Sequence, residues 1–338
     1  MFYKAIIQGR LEFGTERAYD KVLKQYEYRS ENYHKNNVMF KEEDIFIEEE
    51  KAMNIPRHVG QVMENSFKNT ASLLEYCAQF ALTGSIVMWL MDEGKIRQHA
   101  KIEPQSDKMA VQYYLKGKSL VKEEGKEEEA IESLTKAITK YDRHGQAYER
   151  RAKVNYLMKK YSEAIRDYNK AIGIDDTNPH AFYGRAKVHM INEDYESAIK
   201  DFNETIRRSF ALQPIYWKSR RLKSKCHLNR KEWKEMAFDL KLYSKRYFEE
   251  GSVNAFWKRW SYVYYAIALI ELEEYEDAIA NLNLALEMPE FEDGTNKGEI
   301  LRYRGIARKK AGKNGFLKDF KEAVALGDTI AESWLKQK

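Results

Sequence analysis

Apolar and polar residues alternate from Lys4 to Phe13, with Tyr3, Ala5, Ile7, Leu11 and Phe13 on one face. A period of two predicts a half-buried strand. Thr15 then stands where a helix cap is needed, ahead of an apolar stripe of Tyr19, Val22, Leu23 and Tyr26 that carries a helix to about Tyr33. Val38 to Ile47 reads as a second strand, and Pro56 separates it from a helix over about Val62 to Leu82. The stretch SIVMWLMDEGKIRQHAKIEP predicts two strands around the turn Asp92-Glu93-Gly94. The order β-α-β-α-β-β over residues 1–104 defines a small N-terminal α+β domain.

From about residue 109 the pattern changes to a long helical repeat. YSEAIRDYNKAI at 161–172 returns as YESAIKDFNETI at 195–206. The marker alanines Ala130, Ala164 and Ala198 are 34 residues apart, and Met236, Ala278 and Phe316 continue the series at intervals of 38, 42 and 38. A second marker follows seven residues later at Ala137, Ala171, Thr205, Tyr243, Ala285 and Ala323. Aromatics precede the first marker by three at Tyr161, Tyr195, Trp233 and Tyr275. Small residues precede it at Gly117, Ala152, Ala186, Ser224, Ala266 and Gly305. Small side chains at two crossings let paired helices approach, and the aromatics fill the space beside them. One such pair cannot bury its apolar faces alone, so successive pairs must stack.

The runs AYERRAKVNYLMKKYSEAIRDYNKAIGID, AFYGRAKVHMINEDYESAIKDFNETI and YRGIARKKAG resemble the tetratricopeptide repeat. The resemblance implies a mainly α chain, in which a right-handed TPR-like α-solenoid of about six helix pairs spans 109–327. A C-terminal capping helix, 328–338, would carry Trp334 over the last pair. The pattern has departures. Glu127 replaces the first aromatic, Met236 and Tyr243 stand at small positions, and Asp176 occupies the place of a common proline. Insertions fall near SFALQPIYW and EMPEFEDGTNKGE. In this family the first helix of each pair lines the concave face, which would receive Glu149, Arg150, Lys153 and Tyr156, then Tyr183, Lys187 and Met190. Lys218, Arg221 and Lys225 follow, then Trp260, Val263 and Tyr264, and finally Arg302 and Tyr303. The partner-binding candidates are Arg150, Lys153, Tyr156, Tyr183, Lys187, Lys218, Arg221, Lys225, Trp260, Tyr264 and Arg302. The carboxylate clamp of chaperone adaptors needs Lys-x-x-x-Asn, Asn and Lys-x-x-x-Arg on successive first helices. Here Gly184 takes the middle place and Leu222 follows Lys218 by four, so that clamp is not formed.

Charge sharpens the partner. The chain is 43% hydrophobic and 33% charged with a net +5, yet Arg207 to Tyr247 holds 13 Lys or Arg against Glu232, Glu235 and Asp239. A basic groove with aromatic anchors suits an acidic or amphipathic peptide segment, or a larger complex presenting one. The same window carries Tyr216, Trp217, Trp233, Tyr243 and Tyr247, and aromatics among cations also suit single-stranded RNA in a ribonucleoprotein. Trp257 and Trp260 are further candidates for a subunit contact.

Enzymatic chemistry has little to stand on. His34, His58, His99 and Cys77 share the N-terminal domain without a spacing that pairs them. The acids Glu42, Glu43, Asp44, Glu48, Glu49 and Glu50 lack the glycines and alternation of a metal loop. No phosphate loop or nucleophile elbow occurs, and no cofactor is implied. An N-terminal enzyme or sensor with a repeat targeting arm is the remaining alternative. Two cysteines without framework spacing, no secretory leader, and an apolar run of only Ile86 to Met91 predict a cytoplasmic protein without membrane insertion.

Overall fold

A computed structural model describes residues 1–290 and 292–336. It divides into two compact units, Met1–Gly184 and Arg185–Lys338.

The first unit opens with β1 (Phe2–Glu12) and α1 (Glu16–Asn32). Thr15 Oγ1 accepts a hydrogen bond from the Ala18 amide at 3.2 Å, which caps α1 as its position requires. The expected strand 38–47 is not formed. That segment supplies a short helix α2 (Glu42–Ile45) and a two-residue strand β2 (Phe46–Ile47). The long second strand is instead β3 (Ala52–Met63), which delays the next helix to α3 (Glu64–Ala78). Pro56 therefore lies inside a strand. It is tolerated because the ladder jumps from Ile7↔His58 to Gly9↔Ile55, so Pro56 and Arg57 together oppose Gln8. A proline lacks an N–H to donate, and such a bulge does not demand one.

β4 (Thr83–Asp92) and β5 (Lys95–Ile102) form the expected hairpin. Glu93 at φ 47° and Gly94 at φ 83° give the two left-handed residues that a tight turn needs to match strand twist. The sheet is antiparallel throughout, in the order β2-β3-β1-β4-β5. Tyr3, Ala5, Ile7 and Leu11 of β1 pack on Tyr19, Val22 and Tyr26 of α1 and on Phe67, Leu73 and Leu74 of α3. Each fully buried side chain of this size contributes about 1.5–3 kcal/mol of transfer free energy.

The first helix pairs follow as α4 (Met109–Leu120), α5 (Glu127–Lys140), α6 (Gly145–Leu157) and α7 (Tyr161–Ile174). They are tied to the sheet by polar contacts. Tyr141 Oη donates to Glu12 Oε2 at 2.8 Å, and Arg10 Nε donates to Glu12 Oε1 at 3.1 Å. The Gly84 amide donates to Gln146 Oε1 at 3.3 Å. Sheet and first repeats thus share one compact unit. The division falls within α8 (Pro179–Ile191).

The second unit continues with α9 (Tyr195–Arg208), α10 (Pro214–Arg230) and α11 (Trp233–Lys245). Then come α12 (Val253–Phe256), α13 (Lys258–Glu271), α14 (Tyr275–Glu287), α15 (Lys297–Lys310) and α16 (Phe316–Ala325). The expected closing helix is α17 (Thr329–Lys336), with Trp334 stacked on Phe320 at 5.9 Å; residues 337–338 lie outside the described residues. Among the described residues no helix is long and apolar enough to cross a membrane.

Five of the six first repeat markers are core residues, and the sixth, Phe316, is half-buried. Ala130, Ala164, Ala198, Met236 and Ala278 are completely buried. A Cβ placed on Gly184 would lie 2.2 Å from Tyr168 Cζ, so glycine is needed where that ring crosses the helix. Tyr243 departs from the small pattern for a visible reason: its hydroxyl donates to the Asn254 carbonyl at 2.8 Å and pins the inserted α12 segment.

One regularity was not anticipated. An arginine of the first helix bonds an aspartate three residues after the marker of the second. The pairs are Arg151–Asp167 at 2.8 Å, Arg185–Asp201 at 2.7 Å, Arg220–Asp239 at 2.5 Å and Arg304–Asp319 at 2.6 Å. In the fifth pair Tyr265 and Asn281 hold these two positions.

Candidate functional site

The predicted binding residues of the first unit are largely engaged with their own neighbours. Arg150 Nε lies 3.2 Å from Glu149 Oε2 on the adjacent residue, and the buried Glu149 carboxylate raises the guanidinium pKa, with Tyr114 adding to it. The Tyr156 ring lies 6.1 Å from Tyr161, and burial raises its phenol. Lys153 and Tyr183 are half-buried, as is Lys187 at the start of the second unit.

In the second unit the fold gathers four predicted residues around one that was not assigned to the site. Arg221 Cζ sits 4.0 Å from the Trp257 ring centroid. Lys225 Nζ lies 5.2 Å from Trp257 and 5.0 Å from Trp260. Trp260 stacks on Tyr264 at 4.2 Å, with the planes 21° apart. Helix geometry explains the grouping. Arg221 and Lys225 are four apart on α10, and Trp260 and Tyr264 are four apart on α13, so each pair shares a face. Trp257 stands just before α13 and brings its ring across both cations.

Accessibility divides this cluster. Arg221 and Trp260 are only 7% and 3% exposed and act as its support. Lys225, Trp257 and Tyr264 are half-buried and reach solvent, as does Lys218 two turns before Lys225 on α10. Burial holds the Lys225 ammonium below the usual lysine range, and the neighbouring Arg221 cation adds to the effect. Among the described residues no carboxylate lies within ion-pair distance of Lys225. A cation held over aromatic faces and partly stripped of water is a strong acceptor site for an incoming carboxylate.

Acidic groups close the other side. Burial raises the Glu299 carboxyl, against the opposing pull of Arg302 and with Asp328 and Asp293 adding to the rise. Arg302 itself donates to Asp328 Oδ2 at 2.9 Å and covers the Tyr303 ring at 4.3 Å, which makes it a brace for the last helices.

The other chemical candidates are dispersed. Cys77 is fully buried, and burial pushes its thiol up to about 12, which suppresses the thiolate that nucleophilic chemistry needs. His58 packs edge-on against Phe40 and His99 lies over Trp89, at 5.2 Å in both cases. The Glu50 carboxylate pairs with Arg10. Among the described residues no group of His, Cys, Asp and Glu is arranged to hold a metal ion.

The basic window also resolves into separate surfaces. Arg207 and Arg208 pair with Glu204, Arg220 and Lys223 with Asp239, and Arg230 with Glu232. Of its aromatics, Trp217 and Tyr243 are buried, while Tyr247 is 80% exposed. Trp257 was the residue to find from sequence: its spacing of three from Trp260 marks it as a neighbour on the same helical face.

Comparison with known proteins agrees with this architecture. Residues 152–193 match a family model described as TPR repeat, and residues 112–139 match one described as tetratricopeptide repeat. The chain matches no curated protein. Among solved structures it is similar to YrrB, described as a TPR protein with an unusual peptide-binding site, at 15% identity and a TM-score of 0.52. That similarity covers 62% of this chain and 100% of YrrB. It is also similar to pilF of Pseudomonas aeruginosa at 16% identity and a TM-score of 0.50, over 69% of this chain and 99% of the other. Buried small markers, paired helices and the two matched segments together show that this chain carries tetratricopeptide repeats.

Proposed function

We propose that this protein is a non-enzymatic interaction scaffold or adaptor that binds an acidic, partly apolar peptide segment of a protein partner. Lys218, Lys225, Trp257 and Tyr264 on the first helices of the second unit would form the contact, with Arg221 and Trp260 beneath them. The observation that carries this reading is Lys225, a half-buried cation over two tryptophans with no carboxylate of its own among the described residues. A partner carboxylate would supply the missing charge, and apolar side chains would cover Trp257 and Tyr264. Lys153, Tyr156 and Tyr183 of the first unit and Lys187 of the second would be further partner contacts within their own units, and the sheet domain over 1–104 would provide a second contact. Both cysteines are free and buried, in keeping with a reducing compartment such as the cytoplasm.

RNA binding is the second reading, and the basic window favours it. Its support is weaker, because five of those cations serve ion pairs and two of the aromatics are core. Affinity capture from native lysate, with and without nuclease and at two salt concentrations, separates the two. A protein partner that survives nuclease and is lost with Lys218→Glu/Lys225→Glu would support the scaffold. Release by nuclease or modest salt would transfer the function to RNA.

A further inference from the structure

The fifth helix pair, like the first, lacks the Arg–Asp staple, and at the fifth a polar pocket opens. It measures about 560 Å³ and is bordered by Lys241 and Lys245 of α11, Lys258, Tyr262 and Tyr265 of α13, and Asn281 of α14. Tyr265 and Asn281 are the residues standing at the two staple positions. Tyr247 and Lys258 also border a second cavity of about 390 Å³, so the two are neighbours across these side chains. This second cavity is an apolar slot walled by Phe248, Ala255, Phe256, Met288 and Pro289. Neither cavity involves the Lys225 cluster.

Charge is concentrated at the junction. Lys241, Lys245 and Lys258 border the polar pocket against Asp277, and Glu250 lies on the rim of the slot. Among the described residues none of the three lysines has a carboxylate within ion-pair distance. Lys258 Nζ donates to the Arg246 carbonyl and lies 5.6 Å from the Phe248 ring and 5.7 Å from Tyr262. Burial alone pulls its ammonium below the usual lysine range. A half-buried ammonium thus marks the mouth of an apolar slot, with two more cations beyond it.

We propose that these two cavities form one binding site for a single-chain amphiphile with an anionic head, of the fatty-acid type. The carboxylate would sit on Lys258 and Lys245, and the acyl chain would lie along Phe248, Phe256 and Met288. Volume supports the assignment, since both cavities fall in the range that encloses small ligands. The slot's hydrogen-bonding capacity favours an acyl chain over a peptide. Of the two hydroxyls bordering it, Ser252 Oγ accepts from the Ala255 amide at 3.2 Å, and Tyr247 is 80% exposed and shared with the polar pocket. Along the walls, Phe248, Ala255, Phe256, Met288 and Pro289 offer peptide amides no side-chain partner, whereas methylene groups need none.

The test is calorimetric titration of the full chain with decanoate below its micelle-forming concentration, beside acetate and decyltrimethylammonium. The site predicts one decanoate per chain, with acetate and the cationic amphiphile at least tenfold weaker. Lys258→Gln should weaken decanoate at least tenfold, and Lys258→Arg, which keeps the charge, should retain it. Helical circular dichroism of both variants confirms that they fold. Equal binding of the two amphiphiles, or no effect of Lys258→Gln in a folded variant, would overturn the proposal. So would displacement of decanoate by a tighter-binding peptide with an apolar C-terminal residue. Lys225→Glu should leave decanoate binding unchanged, which keeps this site independent of the partner groove.

Discussion

Acidification is an informative perturbation because of His144. This residue is fully buried at the start of α6, where Nδ1 accepts a hydrogen bond from the Ala147 amide at 3.3 Å. Its ring lies 4.8 Å from Tyr114, and Nε2 is buried with no hydrogen-bond partner. Nδ1 accepts, so Nε2 carries the proton and the ring is neutral. Burial lowers the pKa to about 3 from the ordinary 6.5. The folded value lies below the unfolded one, so the unfolded chain takes up the proton first. Stability is fully present above 6.5 and falls as the pH drops from there towards 3. Between about pH 7.5 and pH 5 the loss from this one group is about 2 kcal/mol. In a unit of this size that corresponds to a fall in Tm of roughly 4–8 °C. The assay is thermal unfolding by circular dichroism at both pH values, for wild type and His144→Asn. Asparagine keeps a cap acceptor and does not titrate, and the shifts of all other groups cancel in the comparison. The variant should lose less stability on acidification, by about 2 kcal/mol. Parallel losses in the two proteins would refute the reasoning.

Two further predictions concern the helix pairs. Gly184→Ala drives a Cβ into the Tyr168 ring and should destabilise by about 1–3 kcal/mol, with Tyr168→Leu in the same chain recovering part of the loss in urea unfolding. Asp239→Asn leaves Arg220 and Lys223 without their shared carboxylate, contacts of 2.5 and 3.0 Å in a buried setting. Its expected cost of about 3–5 kcal/mol would be read from the urea midpoint, and a cost below about 1 kcal/mol would show the staple to be marginal.

The repeat was legible because its markers report sterics that act locally. Ala164, Ala198 and Gly184 must be small wherever two helices cross, whatever surrounds them, and that need recurs at fixed spacing. The hairpin at Glu93-Gly94 was legible for a similar reason, since a two-residue turn demands its own backbone angles. The second strand was misread because Pro56 was taken as a boundary. Only the ladder with β1 shows that a bulge opposite Gln8 relieves proline of its missing donor. At the candidate site, the identity of the first-helix residues was predicted from the resemblance. Which of them are spent was not: Arg150 serves Glu149 and Arg302 serves Asp328.

By itself the sequence determined the helix pairs, their number and their contact faces, because periodicity and side-chain size act over a few turns. Tertiary structure decided which charges remain available. Thirteen cations in one window look alike in sequence, yet Arg220 is locked to Asp239 while Lys225 is left over two tryptophans. It also decided where space remains, since the loss of the staple at Tyr265 and Asn281 becomes a pocket only once α11, α13 and α14 are assembled. Ion pairing and cavity formation depend on residues far apart in the chain, and no local pattern records them.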